Sequence, residues 1–458
     1  MAEKSSLKST IAVSLTNYLD AGAIVAGASG LGLWQNYLGL TESNLGWLNA
    51  ISANAMGAAI GAIIGGFMAD KFGRKAIYTY NMLIYMAGVL LVMLSVNFPM
   101  LLAGFLVTGI SVGVGVPASW TYISESSEIN NRGRNICISQ MSWGIGPMII
   151  TLLATLLAPP LFENGVMKED AGVLFGIVST VAEWFDVTGR EAVGVFASRI
   201  LFASLFIVAF IAWNLQRKLE ESAEWKAQKE AEARGEVKKS GMLDSFAVLF
   251  TNKVAVTTVA FLAGIYLTWN CVASVMGFFQ QHIFETAGGL SNQQSNLLGF
   301  VQWAIIVGVT FITAKIVDKQ SHKMIYVLGL VVALCPWIMV VFTGGELGMN
   351  GAIAFSVLWG IQGGLSVQIF YALWGTELFP AKFRAGAQGL MFFIVRGLCA
   401  IWGIVFQSIY AGGEGFEIAA WCMIALLAVS LIVGVIGAPN TRGKSLDQIT
   451  KERYGDNY

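Results

Sequence analysis

Two short charged motifs occur in the chain and recur about 250 residues later. Residues 70–75 read DKFGRK, and residues 318–323 read DKQSHK, at an offset of 248. The second motif is an acid followed seven residues later by an arginine, and it occurs as Glu125 with Arg132 and as Glu377 with Arg384. The offset of this second motif is 252. Two landmarks at nearly the same offset indicate that the chain is an internal duplication of one half.

The chemistry available to these motifs is ion pairing at a membrane surface. An acidic residue at a helix end, beside several bases, can form an ion network that exists only when neighbouring helices close together. We therefore predict a latch at the cytoplasmic end of the molecule. Its residues are Asp70, Arg74, Glu125, Arg132, Asp318, Glu377 and Arg384. An ordinary basic cytoplasmic loop is the alternative, but it would require neither the aspartate nor the glycines.

Two further charges lie inside apolar segments. At 1.5 Å per residue, Arg396 lies ~18 Å beyond Arg384, and Asp20 lies ~14 Å into the first apolar segment. A guanidinium at that depth costs at least ~2.5 kcal/mol unless it is paired or faces water. Its partner could be a solute carboxylate or Asp20.

A lone carboxylate inside the membrane can bind and release protons, which makes Asp20 the candidate for proton coupling. A static pair between Asp20 and Arg396 is one alternative. A role in solute binding alone is the other.

The elements that position these residues must be membrane helices. The chain has 458 residues, is 56% hydrophobic and only 12% charged, and its mean hydropathy is +0.66. A soluble protein carries about 25% charged residues. Apolar runs long enough to cross a bilayer start near Ile11, Leu45, Ala76, Pro99, Asn135, Val195, Lys253, Ser295, Met324, Gly351, Ala387 and Ile418. We therefore predict an all-α membrane protein with twelve transmembrane helices.

The basic residues predict the orientation of these helices. Most of the 28 Lys and Arg residues fall on the side of the amino terminus, as is typical of cytoplasmic loops. An even number of spans then places both termini in the cytoplasm of a multi-pass cell-membrane protein. The formal net charge is zero, which argues against a nucleic-acid partner. We expect no cofactor or metal, since the sequence shows no ligand cluster, phosphate loop or CxxC pair.

The duplication and the change in composition divide the chain into four parts. These are an N-terminal six-helix bundle at 1–214, a cytoplasmic linker at 215–252, a C-terminal six-helix bundle at 253–438 and a cytoplasmic tail at 439–458. The linker carries charges of both signs at helical spacing, which predicts short amphipathic helices. A second long loop, between the fifth and sixth spans, has an apolar centre that is too short to cross the membrane. We interpret it as an interfacial or capping segment.

Gly57, Gly61 and Gly65 form a stripe of small residues on the second span. Such a stripe permits close approach of helix backbones. It could serve static packing, or it could be a smooth surface on which one half moves past the other.

The charged motifs resemble those of the major facilitator superfamily. Residues 66–75 match its G-x-x-x-D-x-x-G-R-[KR] loop between helices 2 and 3, and both E-x6-R motifs match its sugar porter and organic-ion branch. Residues 439–446 (PNTRGKSL) resemble the closing P-E-T-x-G-x-[ST]-L motif, and residues 220–225 (EESAEW) partly match P-E-S-P-R-W. The resemblance implies two six-helix halves related by a pseudo-twofold axis, which work by alternating access.

The resemblance is weaker in the solute site. Where sugar porters present hydrogen-bonding residues on helices 7, 8 and 10, this chain offers Thr268, Trp269, Ser274, Ile306 and Ala372, and only Gln140 is kept. Related proton symporters often have an arginine near the start of helix 4, where this chain has Phe105, so the coupling role of Asp20 stays open. The predicted solute contacts are Gln140, Arg396, Trp269, Asn270, Gln281, Gln368 and Trp374.

The sequence therefore predicts a secondary active transporter, not an enzyme, that imports a small polar organic solute with a proton, as a monomer. A sugar acid or other carboxylate is favoured slightly over a sugar or polyol because of Arg396. A proton-driven exporter is the first alternative, since Gly146-Pro147 partly matches an antiporter motif. A nutrient sensor is the second, although the tail after Pro439 is short for that role.

Overall fold

The computed structural model describes residues 2–52, 55–163, 166–169, 171–235, 242–290, 292–365, 367–410 and 415–455. The N-terminal half contains α1 (Ala2–Leu38), α2 (Glu42–Ile51), α3 (Met56–Phe72), α4 (Arg74–Met93), α5 (Phe98–Glu125), α6 (Arg132–Leu156), α7 (Phe175–Trp184) and α8 (Arg190–Gln216). Between the halves lie α9 (Ala223–Arg234) and α10 (Met242–Thr251). The C-terminal half contains α11 (Lys253–Thr286), α12 (Asn292–Ile316), α13 (His322–Phe342), α14 (Gly348–Gly364), α15 (Val367–Glu377), α16 (Arg384–Tyr410) and α17 (Gly415–Gly437). The tail forms α18 (Leu446–Tyr454).

Within the described residues, eleven helical segments are long and apolar enough to cross a membrane. One of them runs from α14 into α15. The remaining span of the twelve predicted from the sequence corresponds to α2 followed by α3. Helix α3 alone has 17 residues, and it packs against α5 and α16. Two of the twelve spans are therefore built from two consecutive helices each.

Local sequence signals determine where two of the long helices begin. The Asn97 side chain accepts a hydrogen bond from the backbone N–H of Met100 at 3.0 Å, at the start of α5. The Asn252 side chain accepts from the N–H groups of Val254 at 2.9 Å and Ala255 at 3.1 Å, at the start of α11. The first N–H groups of a helix have no partner inside it, so these caps stabilise the helix ends.

Two helix pairs make the most extensive contacts between the halves. Helix α3 packs on α16, and α6 packs on α12. Each pair combines one helix from each half, and the duplication relates the two pairs to each other. The central interface therefore has the symmetry that the repeated motifs predict.

The glycine stripe serves packing within the N-terminal half. A Cβ added to Gly61 would lie 2.0 Å from the backbone oxygen of Ile110, and one added to Gly65 would lie 2.5 Å from Cα of Val114. Both neighbours belong to α5. Of the two interpretations of the stripe, the structure supports static packing.

The loop between α6 and α8 contains a feature that the sequence did not predict. Strand β1 (Leu161–Glu163) pairs antiparallel with β2 (Val166–Glu169). Helix α7 follows and packs against α8, with Val178 and Ala182 buried. The described part of the chain is therefore all-α apart from this hairpin.

Two helices lie between the bundles. They are α9 and α10, and residues 236–241 between them lie outside the described residues. The domain boundaries at 214, 252 and 438 stay a prediction, as does the cytoplasmic position of both termini.

A glycine beside the stripe, Gly66, faces the other half. A Cβ added there would lie 2.4 Å from the backbone oxygen of Ala385 in α16. We expect Gly66→Leu to destabilise this packing by about 1–3 kcal/mol, since backbone atoms cannot move aside easily. Thermal unfolding in detergent would measure the effect. Gly264→Leu in α11 is the control, because the added side chain meets open space, and equal melting temperatures for both variants would contradict the prediction.

Candidate functional site

A cavity lies between the two halves. Helices α1 and α6 line it on one side, and α11, α12, α14, α15 and α16 line it on the other. Most of its polar lining consists of amide side chains, namely Gln140, Asn270, Gln280, Gln302, Gln362 and Gln368. Of the described lining residues, Arg396 alone carries a charge. The cavity can therefore offer many neutral donors and acceptors to a solute.

The structure places five of the seven predicted solute contacts around this cavity. They are Gln140, Trp269, Asn270, Gln368 and Arg396. The other two lie elsewhere and correct the prediction. The Gln281 side chain donates to Asn296 instead of facing the cavity. Trp374 is fully buried and packs against other aromatic rings, including Phe370 with its ring centroid at 5.2 Å.

Several lining residues escaped the sequence analysis, among them Trp143, Gln280 and Gln302. One turn of helix separates Trp143 from Gln140, so the predicted contact at Gln140 could have indicated it. Gln280 lies next to the wrongly chosen Gln281. One residue corresponds to a rotation of about 100° around a helix, which is enough to turn a side chain away from the cavity.

The lining amides bond to one another across the cavity. Nε2 of Gln368 donates to Oε1 of Gln140 at 2.9 Å, which connects α15 with α6 and thus one half with the other. Nε2 of Gln140 is buried and has no hydrogen-bond partner among the residues described. An unpartnered buried donor is costly, so a solute hydroxyl that reached this atom would relieve that cost.

Asp20 lies behind the cavity wall in α1 and is 2% exposed. Its Oδ2 accepts a hydrogen bond from Nε1 of Trp143 at 3.0 Å. Its Oδ1 is buried and has no hydrogen-bond partner within the described part of the chain. Arg396, from the other half, attracts this carboxylate electrostatically.

Phe105, at the position where related symporters often have an arginine, contacts α1 away from the carboxylate. A Cβ added to Gly27 would lie 2.8 Å from the Phe105 ring, and Gly27 is two helical turns from Asp20. The Phe105 ring also packs edge-on against Phe202, with a centroid separation of 6.1 Å. The partners of Asp20 therefore come from α6 and α16.

The predicted latch residues form two networks at one end of the molecule, and Glu125 is the centre of the first. Its Oε1 lies 2.9 Å from Nη2 of Arg74 and 2.8 Å from Nη1 of Arg384. Arg74 also pairs with Asp70 at 3.2 Å. In the second network, Nη1 of Arg132 lies 2.9 Å from Oε1 of Glu377.

The two E-x6-R motifs exchange partners between the halves. Glu125 of the first half pairs with Arg384 of the second, and Glu377 of the second pairs with Arg132 of the first. All four side chains are almost completely buried. Separation of the halves would break both pairs and leave Glu377 and Arg132 without these partners, so the pairs favour contact between the halves at this end.

Two aspartates reinforce the closure by capping helices of the opposite half. Asp70 accepts hydrogen bonds from the N–H groups of Ala385 at 3.2 Å and Gly386 at 2.6 Å, at the start of α16. Asp318 accepts from Gly133 at 2.9 Å and Arg134 at 2.8 Å, at the start of α6. A carboxylate at a helix N-terminus is stabilised by the unpaired N–H groups and by the helix dipole.

Two acidic groups of the latch end lie outside the membrane-spanning segments. Burial raises the pKa of Asp318, and the N–H groups of Arg134 and Gly133 oppose that rise. Burial also raises the pKa of Glu224 in α9, and the charge of Arg384 opposes it. Each group therefore relies on its partner in the opposite half or bundle to remain charged.

A duplicated bundle of membrane helices around a polar cavity, closed at one end by charges exchanged between the halves, defines a secondary transporter. The chain belongs to the Major Facilitator Superfamily, whose family model matches residues 10–404. This confirms the predicted fold class and the prediction of a multi-pass plasma-membrane transporter of a small solute. The family consists of transporters and not of enzymes.

Comparison with known proteins supports this assignment. The Minor myo-inositol transporter IolF of Bacillus subtilis (strain 168) is 38% identical over 450 residues, which cover 98% of this chain and 94% of that protein. The proton:xylose symporter XylE bound to 6-bromo-6-deoxy-D-glucose has a TM-score of 0.79 at 16% identity, over 99% of this chain and 100% of that chain. The inward open conformation of XylE from E. coli has a TM-score of 0.66 at 16% identity, over the same shares of the two chains.

Glu125→Gln tests the exchanged ion pairs. The variant leaves the Arg74 and Arg384 guanidiniums facing a neutral amide, and breaking a buried ion pair costs about 3–5 kcal/mol. We expect a lower melting temperature in detergent. Glu128→Gln, at an exposed position three residues further on, should leave the melting temperature unchanged. Equal stability of the two variants would show that the Glu125 pairs do not hold the latch.

Proposed function

We propose that the chain imports a cyclic polyol of the myo-inositol class together with a proton. The observation that carries this proposal is the amide-rich cavity between the halves, in which Nε2 of Gln140 is left without a partner among the described residues. A polyol presents hydroxyl groups around its whole ring, and each hydroxyl both donates and accepts. Amide side chains match this pattern, since each also offers donors and an acceptor.

The bond between Gln368 and Gln140 gives the amides a role in the transport cycle. A solute hydroxyl that bonds to both side chains would connect α15 with α6 in the same way as the direct bond does. The free energy of solute binding would then stabilise the contact between the halves and not one half alone. Trp269, whose Nε1 donates to Oε1 of Gln362 at 3.3 Å, can in addition cover an apolar ring face of the solute.

A neutral polyol fits the lining better than a carboxylate does. The preference for a sugar acid rested on Arg396, which would need an anion. In the structure, Arg396 attracts the Asp20 carboxylate, so an anion is already present. The relative with 38% identity is named as a myo-inositol transporter, which also supports a polyol.

Asp20 is the proposed proton site. It is a buried carboxylate inside the first span, and its Oδ1 has no hydrogen-bond partner in the described part of the chain, so that oxygen can take up a proton. The fold neighbour with a TM-score of 0.79 is titled a proton:xylose symporter, which supports coupling to protons.

The conformation supports entry of the solute from the outer side. The latch closes the end that the distribution of Lys and Arg predicts to be cytoplasmic. A solute would therefore bind before the latch opens.

Uptake of labelled myo-inositol into proteoliposomes that are alkaline inside tests the proton site. We expect accumulation above equilibrium by the unchanged protein. Asp20→Asn should lose gradient-driven accumulation but retain solute exchange at equal pH, since exchange requires no net proton release. Asp447→Asn, at an exposed position in the tail, is the control. Full gradient-driven uptake by Asp20→Asn would exclude Asp20 as the proton site.

Competition in the same vesicles tests the solute class. Gln140→Ala should weaken myo-inositol binding about tenfold, because one or two buried hydrogen bonds are lost. A hexuronate should compete poorly with labelled myo-inositol. Arg396→Lys should not change competition by the hexuronate more than it changes competition by unlabelled myo-inositol. Stronger competition by the hexuronate than by myo-inositol, lost on Arg396→Lys, would assign a carboxylate instead. Accumulation of myo-inositol in vesicles that are acidic inside, driven by this reversed pH gradient, would indicate a proton-driven exporter.

A further inference from the structure

One side chain contacts both the cavity and the buried carboxylate. Trp143 lies one helical turn after Gln140 in α6 and lines the cavity. Its Nε1 donates to Oδ2 of Asp20 at 3.0 Å. Asp20 itself is almost completely buried, at 2% exposure. A solute in the cavity would therefore touch the indole ring whose opposite edge bonds to the carboxylate.

The same indole also contacts the opposite half. Its ring packs edge-on against the ring of Trp303 in α12, with a centroid separation of 5.6 Å and an interplanar angle of 62°. Trp303 also lines the cavity. Because α6 and α12 belong to different halves, a movement of the halves relative to each other must change this ring contact. The orientation of Trp143 is thus sensitive to both the solute and the conformation.

Other groups also lie near Asp20. Arg396 in α16 acts on the carboxylate through its charge. Tyr85 in α4 donates its hydroxyl to the backbone oxygen of Leu19 at 3.0 Å and not to the carboxylate. Tyr266 in α11 also lies in electrostatic range of Asp20.

We propose that Trp143 is the positioning residue that links occupation of the cavity to the proton on Asp20. This inference rests on the proposed function of Asp20 and specifies how the solute reaches it. The indole N–H stabilises the ionised carboxylate, since a hydrogen bond to a charged form favours that form. A solute or a closing movement that tilts the ring weakens the bond and favours the protonated form. By linkage, protonation then strengthens solute binding to the same extent.

The pH dependence of myo-inositol binding tests this role. Trp143→Phe keeps an aromatic ring but removes the N–H donor. We expect the midpoint of the binding profile to move in the alkaline direction by about one pH unit, which corresponds to a tenfold change in proton affinity. Gradient-driven uptake should fall about tenfold, because release of the proton becomes harder, whereas exchange at equal pH should persist.

Two further variants separate this role from a structural one. Trp143→Gln keeps an N–H donor without the ring, and its midpoint should stay closer to that of the unchanged protein than the midpoint of Trp143→Phe does. Trp303→Phe keeps the ring contact and does not touch Asp20, so it can change solute affinity but should not move the midpoint.

The outcomes distinguish this inference from the proposed function. If Asp20→Asn abolishes gradient-driven uptake while Trp143→Phe leaves the pH midpoint unchanged, the proton site stands and the role of Trp143 is wrong. If Trp143→Phe loses binding and exchange together at every pH, Trp143 is a solute or packing residue and the inference is also wrong. If Asp20→Asn retains the full pH profile, the proposed proton site itself fails.

Discussion

The exchange of buried ion pairs between the two halves is the constraint on which the closed arrangement depends. Each half supplies one glutamate and, seven residues later, one arginine. Neither residue pairs with its own motif partner. Glu125 reaches Arg384 at 2.8 Å, and Glu377 reaches Arg132 at 2.9 Å. A buried charge is tolerated only with a partner, and both of these pairs join one half to the other, although Glu125 also pairs with Arg74 in its own half. Opening this end must therefore break both cross-half pairs together, which favours two discrete states over a continuous range of openings.

The repeated sequence motifs named the residues of these networks and their symmetry, whereas the exchange of partners between the halves is seen only in the fold. The offset of 252 relates Arg132 to Arg384, and the helix caps follow the same relation, since Asp70 caps α16 and Asp318 caps α6. Hydropathy located the twelve spans because the requirement for apolar length is strict. It did not reveal that two spans are each built from two helices, or that the outer loop contains a β-hairpin. Those features depend on local packing, which leaves little trace in the overall apolar pattern.

The solute site was predicted less well because it depends on helix rotation. An error of one residue selected Gln281 in place of Gln280, and Trp374 proved to pack among aromatic rings. Polar residues on a cavity wall have no fixed period, and a buried tryptophan looks the same in sequence whether it faces a solute or a neighbouring helix. Gln140 and Gln368, two of the predicted solute contacts, both line the cavity, but their mutual bond joins residues 228 positions apart in sequence. Only the folded chain brings such a pair together.

The linker helix α9 is attached to the two bundles very unequally. The Glu221 carboxylate just before it caps the start of α4 through the N–H groups of Arg74 and Lys75, and its Trp225 indole donates to the backbone oxygen of Asp70. Toward the C-terminal half, Glu224 forms an ion pair with Arg384 at 2.8 Å. When the bundles separate, α9 should move with the N-terminal bundle and lose its contact with the C-terminal bundle. The two moving bodies then differ in composition, because one of them includes α9. The asymmetry between the duplicated halves therefore comes from the linker, which is not part of the duplication.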